Sequence, residues 1–239
     1  MSPVPQNPGP QNQGPQNIAL RGSKNAPIER RKLSRYVARI GRLGPFVLMV
    51  GLLTGCGATR PVKYYQLTVP TDAGDVEKPG AVPVRLLLGG IVTSHLYRED
   101  RIVYGNGPEQ LGTYEFQRWA EPPAEMIQEV LLRDLRATGH YRAVHVRRSN
   151  VTGDFAIRGR LYDFKEVEGG SMSTRVTMEF EMRDLKTGAT VWNHYYTHDE
   201  SASGKDVPAI VAALDKNVQQ GVKEFVESLD QYFASHPPK

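Results

Sequence analysis

The sequence predicts an α+β domain: a mostly antiparallel sheet with two helices packed on one face. Three observations predict it. Phe155, Ile157, Gly159 and Leu161 alternate with Ala156, Arg158 and Arg160, and Val176, Met178, Phe180 and Met182 alternate with Thr177, Glu179, Glu181 and Arg183. A period of two marks a strand with one core face and one wet face. Asp184-Leu185-Lys186-Thr187-Gly188 turns the second run back into a returning strand from Thr190 to Thr197, so the pairing is antiparallel, with Gly188 free to take a positive φ. Two further segments change to a helical period, each with one apolar stripe.

The elements follow in chain order. Tyr64-Tyr65-Gln66-Leu67-Thr68-Val69 is aromatic and β-branched and reads as a first strand. Residues 70–83 are rich in Pro, Gly and charge and read as a loop. Val84 to Leu88 is a second strand, broken by Gly89-Gly90, and Arg101-Ile102-Val103-Tyr104 is a third. Asn106-Gly107 marks a turn, and Leu111 to Trp119 returns with Tyr114 and Phe116 on one face and Glu115 and Gln117 on the other.

Pro122-Pro123 opens a helix, because proline is tolerated in a first turn. Ile127, Val130, Leu131 and Leu135 form its stripe, Glu125 and Glu129 suit the positive end of its dipole, and Gly139 stops it. His140 to Val146 is a strand. Asp206 caps a last helix with Pro208 in its first turn. Val211, Leu214, Val218, Val222, Phe225 and Leu229 run along that helix from Val207 to about Phe233.

Ahead of this domain the composition changes. Pro-Gln-Asn recurs at residues 5–7, 10–12 and 15–17, and residues 1–29 lack the apolar content to repay the entropy of ordering. Arg30, Arg31, Lys32, Arg35, Arg39 and Arg42 precede the apolar run from Pro45 to Leu53, which ends in Leu53-Thr54-Gly55-Cys56. Basic, then apolar, then small is the order of an export signal. The apolar run is shorter than the roughly 20 residues that a helix needs to span a bilayer. The box resembles that of bacterial lipoproteins, in which the cysteine thiol accepts a diacylglyceryl group and, after cleavage, becomes an N-acylated first residue. The chain therefore divides into a leader and signal (1–55), a lipid-anchored tether (56–62), a single domain (63–233) and a frayed tail (234–239).

This division changes the meaning of the charge. The chain of 239 residues has a formal net charge of +4, but residues 1–55 hold 8 of its 30 Lys+Arg and 1 of its 26 Asp+Glu. The remainder is slightly acidic, with no basic stripe to follow a phosphate backbone, so no nucleic-acid partner is expected. Cys56 is the sole cysteine. Once it is acylated, no thiol remains for a disulfide, a thiolate metal site or a nucleophile.

The candidate chemical motifs are weak. His194 and His198 lie four apart on a strand, roughly 13 Å at ~3.3 Å per residue, too far for one ion. Asp163, Glu166 and Glu168 fall where a strand approaches Gly169-Gly170 and read as a solvated hairpin end. Ser171, Ser173 and Ser201 lack a nucleophile-elbow context. No phosphate-cradling glycine loop occurs. No metal and no cofactor beyond the covalent diacylglycerol and N-acyl lipid on Cys56 is expected, and the domain reads as non-enzymatic. Trp119 in Trp119-Ala120-Glu121-Pro122-Pro123 either shapes the strand-to-helix corner or presents an edge to a partner. Tyr64, Tyr65, Tyr195 and Tyr196 are the other interface candidates, because tyrosine is enriched at interfaces; at least half of them belong to the core.

Several runs of the domain resemble one family as an ordered set. They are Tyr64-Tyr65-Gln66-Leu67 soon after the cysteine, Arg101 to Tyr104, Tyr114 leading to Arg118-Trp119-Ala120-Glu121-Pro122-Pro123, Leu161 to Phe164, and Asp184 to Gly188. Over roughly residues 56–233 they resemble the auxiliary lipoproteins of ABC-type lipid transport systems, the group that includes the paraquat-inducible lipoprotein working beside proteins with mammalian-cell-entry (MCE) domains. The resemblance implies a periplasm-facing lipoprotein that assists lipid transport between the inner and outer membranes, with an MCE-domain protein as partner and a homo-oligomeric ring as one assembly. Gly57 is not the aspartate that resembles an inner-membrane retention signal, which implies anchoring in the outer membrane. The alternative is a periplasmic lipid- or small-ligand-binding lipoprotein, which needs an enclosed apolar pocket of roughly 300–1,000 Å³.

Overall fold

A computed structural model describes residues 60–71, 74, 79–107, 110–148, 150–169 and 171–238. The leader, the export signal, Cys56 and the first part of the tether lie outside the described residues. The elements are β1 (Lys63–Tyr65), β2 (Val82–Thr93), a short 3-10 helix (His95–Arg98), β3 (Arg101–Tyr104), β4 (Gly112–Trp119), α1 (Pro123–Thr138), β5 (Tyr141–Val146), β6 (Phe155–Val167), β7 (Ser173–Asp184), β8 (Thr190–Ser201) and α2 (Val207–Ser235). They form the α+β fold that the periodicities predict.

The eight strands make one mixed sheet. The long strands β6, β7 and β8 are an antiparallel meander, as their alternation requires. β2 lies parallel to both β5 and β6, β1 parallel to β4, and β3 joins β4 antiparallel and the far end of β6 parallel. The α1 crossover carries the chain from β4, on one side of the sheet, to β5 at the opposite border.

Both helices lie on one face and share a single core with it. Ile127, Val130, Leu131 and Leu135 of α1 and Ile210, Leu214, Val218, Val222, Phe225 and Leu229 of α2 are buried against Leu86, Leu88, Ile157, Leu161, Val176, Met178, Phe180 and Met182. Each such side chain contributes about 1.5–3 kcal/mol. Phe225 is the centre of the α2 contact, 4.8 Å from the Phe180 ring and 5.1 Å from Trp192. Gly221 lets α2 approach, since a Cβ there would meet Tyr196 at 2.8 Å.

The expected punctuation is present. Pro123 opens α1 and Gly139 closes it at φ 61°. The Asp206 carboxylate accepts from the Ala209 N–H at 3.2 Å. At the β7–β8 turn Asp184 Oδ1 accepts from the Lys186 and Thr187 amides, and Gly188 takes φ 75°.

Three sequence expectations need correction. Gly89-Gly90 does not break β2: the strand continues to Thr93, and only its register with β6 shifts between Leu88 and Ile91. The close approach of the Ile157 carbonyl, 3.1 Å from where a Gly89 Cβ would stand, shows why glycine sits there. The first strand is three residues rather than six, because Leu67 turns into the core. The outer face of the sheet is not wet throughout: Leu87 and Ala156 are buried on it, and Val151, Thr152, Gly153 and Leu185 close around Leu87.

Candidate interaction surface

The tether enters the domain through a clamp. The Ala120 N–H donates to the Tyr65 carbonyl at 2.7 Å, Leu67 plugs into the core, and both Thr68 donors reach the Asp215 carboxylate of α2, at 2.9 Å from the amide and 2.6 Å from the hydroxyl. The Gln219 side-chain amide donates to the Thr68 carbonyl at 2.7 Å. Residues 65–68 are thus tied to the α1 corner and to α2, so a pull on the N-terminal chain loads both helices.

The five interface candidates separate in the structure. Tyr64 is 64% exposed and Tyr195 is 59% exposed. Tyr65 is partly buried and packs against the core. Trp119 and Tyr196 are corrected: at 1% and 4% exposure neither offers a surface to a partner. Trp119 fills the strand-to-helix corner, 5.2 Å from the Phe164 ring. Tyr196 is held from below, donating to Asn217 Oδ1 at 2.7 Å, while the Asn217 amide donates to the His198 carbonyl at 2.9 Å.

Sequence reading missed Tyr162. Tyr162 continues the exposed series Arg158, Arg160 on the outer face, and the register shift that follows it places Asp163 opposite Thr177 on that face as well. The bulge turns the next even-numbered residue, Phe164, into the core, which simple alternation cannot show. Tyr162 stands 6.4 Å from Tyr195, its hydroxyl donates to Glu179 at 2.7 Å, and the Arg160 guanidinium lies 5.8 Å from its ring. The hydrogen bond to Glu179 pushes the Tyr162 phenol up from its ordinary pKa.

Around this pair runs a network of opposite charges. Arg175 grips Asp199 with two bonds of 2.7 and 2.6 Å, which raises the guanidinium pKa and lowers the carboxyl pKa. Lys165 sits 2.8 Å from Asp163, and Thr177 meets Thr197 at 2.9 Å. Asp163, Arg175, Asp199 and the two threonines line an open groove of about 820 Å³ with Tyr162, Tyr195 and His198. A second groove of about 640 Å³ lies between the clamp and the first turns of α1, lined by Leu67, Val69, Glu121, Glu125, Met126 and Glu129 among others. The paired charges and exposed tyrosines can bind a polar or peptide surface by contact.

Of the carboxylates read as a solvated hairpin end, Glu168 is exposed as expected and Asp163 is partly exposed, but Glu166 departs from that reading. Glu166 is 1% exposed and accepts from the Tyr114 hydroxyl at 2.7 Å. Burial raises its pKa, and the Tyr114 bond offsets part of that rise. His194 stacks on Trp192 at 6.0 Å, its Nε2 is buried without a hydrogen-bond partner among the described residues, and burial lowers its pKa. His198 faces Glu200 at 3.6 Å, so the two histidines do not converge. Among the described residues no helix is long and apolar enough to cross a membrane.

The comparisons with known proteins agree with this architecture. The chain is similar to protein XCC0632 from Xanthomonas campestris, of the DUF330 family: 20% identity over 69% of this chain and 92% of that one, with a TM-score of 0.58. A second solved structure, of an uncharacterized protein, is 12% identical over 71% of this chain and 99% of that one, with a TM-score of 0.57. The lipoprotein GNA1162 from Neisseria meningitidis is 10% identical over 61% of this chain and all of that one, at a TM-score of 0.37. No curated protein matches. The model of the ABC-type transport auxiliary lipoprotein component matches residues 65–226, from the clamp to the middle of α2, and the chain belongs to that family.

Proposed function

We propose that this protein is a non-enzymatic auxiliary component of an ABC/MCE-type lipid transport system, anchored by acyl chains on Cys56 in the outer membrane and facing the periplasm. In this reading it needs no cofactor beyond its covalent lipid. Its partners are the bilayer, an MCE-domain protein reaching from the inner membrane, and further copies of itself in a ring. One observation carries the reading: the family match begins at residue 65, a short tether after the cysteine that ends an export-type run. A single acyl chain binds a membrane only marginally, whereas several anchor it firmly. The clamp on Tyr65 and Thr68 supports a role in which that anchor restrains a rigid domain.

The grooves favour an adaptor over a carrier. The outer-face groove is lined by Asp163, Arg175, Asp199, threonines and tyrosines, and the clamp groove carries three glutamates. A buried acyl chain is best solvated by apolar walls.

Crosslinking in envelope membranes followed by purification of the full protein tests the proposal. The expected result is recovery of an MCE-domain protein together with an acylated Cys56. An unmodified thiol in protein released by osmotic shock would overturn the anchoring. A purified protein that retains lipid and captures no MCE-domain protein would overturn the adaptor role.

A further inference from the structure

The backbone of β8 is satisfied on one side only. Its register with β7 runs unbroken from Met182–Trp192 to Ser173–Ser201, and the Ala202 N–H to Met172 carbonyl bond extends it at 3.0 Å. In an antiparallel pair, residues that exchange hydrogen bonds alternate with residues that do not. Because 202 bonds 172, the even-numbered residues of β8 aim their N–H and C=O groups at β7. The odd-numbered ones, Asn193, Tyr195, Thr197 and Asp199, aim theirs away. All four are exposed, and no strand among the described residues pairs with that side.

The other sheet borders differ. β1 is three residues long. On β5 the Arg136 side chain donates to the Val144 carbonyl at 3.0 Å. β8 has twelve residues, with no proline or lysine among them and no register shift from Trp192 to Ser201. Long, flat, unguarded edges are pairing sites that monomeric proteins avoid.

We propose that β8 is the edge along which two copies of this protein join, antiparallel, about a two-fold axis at Tyr195. The inference rests on the reading that the protein works beside further copies of itself, and it names the surface. Outward residues must pair with outward residues. The Tyr195-centred register sets Tyr195 against the second copy's Tyr195 and Asn193 against its Thr197, with no like charges opposed. Asp199 is already neutralised by Arg175, so a strongly charged peptide finds no counter-charge along this edge, whereas the edge complements itself. Tyr162, 6.4 Å from Tyr195, extends the contact, so the axis gathers four tyrosines on the outer face. Aromatic cross-strand pairs stabilise such joints, and a two-fold joint is isologous. Such a joint closes on itself as a pair, and a larger assembly needs a second, different contact.

The test uses the full acylated protein in mild detergent. Light scattering is expected to give a dimer or an even multiple. Thr197→Pro removes an outward N–H, which an edge strand tolerates. It is expected to keep the native circular dichroism spectrum and to weaken self-association by about ten-fold or more. Tyr195→Cys is expected to oxidise to a disulfide-linked pair. Val92→Cys, exposed on β2 and about 14 Å away across three strand spacings, is expected not to. A monomer at tens of micromolar, an odd-numbered assembly, or equal crosslinking of both cysteine variants would overturn the proposal. Capture of an MCE-domain protein is scored separately from membranes, so its failure counts against the proposed function and leaves the edge untouched.

Discussion

The two faces of the sheet are made from the same strands and obey different rules. Beneath the helices every residue of β7 from Val176 to Met182 that points inward is apolar and buried. The polar groups admitted there are answered one by one, as Asn217 answers Tyr196 and the His198 carbonyl. On the outer face the same strands carry Arg175, Glu179 and Asp199 beside tyrosines that protrude. An exposed ion pair contributes about 0–1 kcal/mol, a buried aromatic several times more. The contrast teaches that this domain gets its stability from one face and leaves the other free for contacts.

The strongest way to break that contrast is to truncate Phe225. It touches Phe180, Trp192 and His194 from the centre of α2. Phe225→Ala is expected to lose about 3–5 kcal/mol in urea unfolding, whereas a surface change such as Tyr195→Ser is expected to stay within about 0.5 kcal/mol. Equal losses would mean that the faces are not functionally divided.

A smaller effect is expected at Asn217. Asn217→Ala leaves the buried Tyr196 hydroxyl and the His198 carbonyl without their side-chain partner, at about 1–3 kcal/mol. Hydrogen exchange is expected to show the loss as faster opening where α2 meets β7 and β8. If the double variant with Tyr196→Phe is no less stable than Asn217→Ala alone, the two act as one unit.

The smallest effect sharpens the picture through pH. Burial raises the Glu166 pKa above its unfolded value. The folded state therefore holds this proton more tightly, and the stability it contributes is complete below the unfolded pKa and lost as pH rises through the folded one. Glu166→Gln keeps a group that can accept from Tyr114 and removes the titration. It is expected to raise the melting temperature slightly at neutral pH and to leave it unchanged near pH 4. A loss of stability at neutral pH would show that the ionised carboxylate is needed.

Legibility followed the range of the interaction. The caps at Pro123, Gly139 and Asp206 and the turn at Asp184–Gly188 are set by residues within one turn of each other, and the chain announces them. The faces of β6 and β7 also follow from neighbours two apart. Glu166 was misread because its burial comes from Tyr114, on a strand 52 residues earlier. Tyr162 lies on the wet face that alternation gives it, but its nearness to Tyr195, 33 residues on in the chain, depends on the pairing of β6, β7 and β8. β2 was cut short because Gly89-Gly90 normally punctuate a strand; here the strand runs on, and β6 comes close at Gly89. Of the interface candidates, Tyr64 and Tyr195 are surface residues and Trp119 and Tyr196 are core, a division that tyrosine and tryptophan chemistry alone cannot make.

The sequence by itself determined the two helices, the alternating strands and the apolar stripes that bring them together, because propensity, capping and periodicity act along a few consecutive residues. Only the tertiary structure decided which strand lies beside which, that Thr68 closes on Asp215, and that the long strand β8 borders the sheet. Those choices depend on backbone groups that are identical in every residue, so their pairing is settled by the packing of distant segments and not by the side chains that name them.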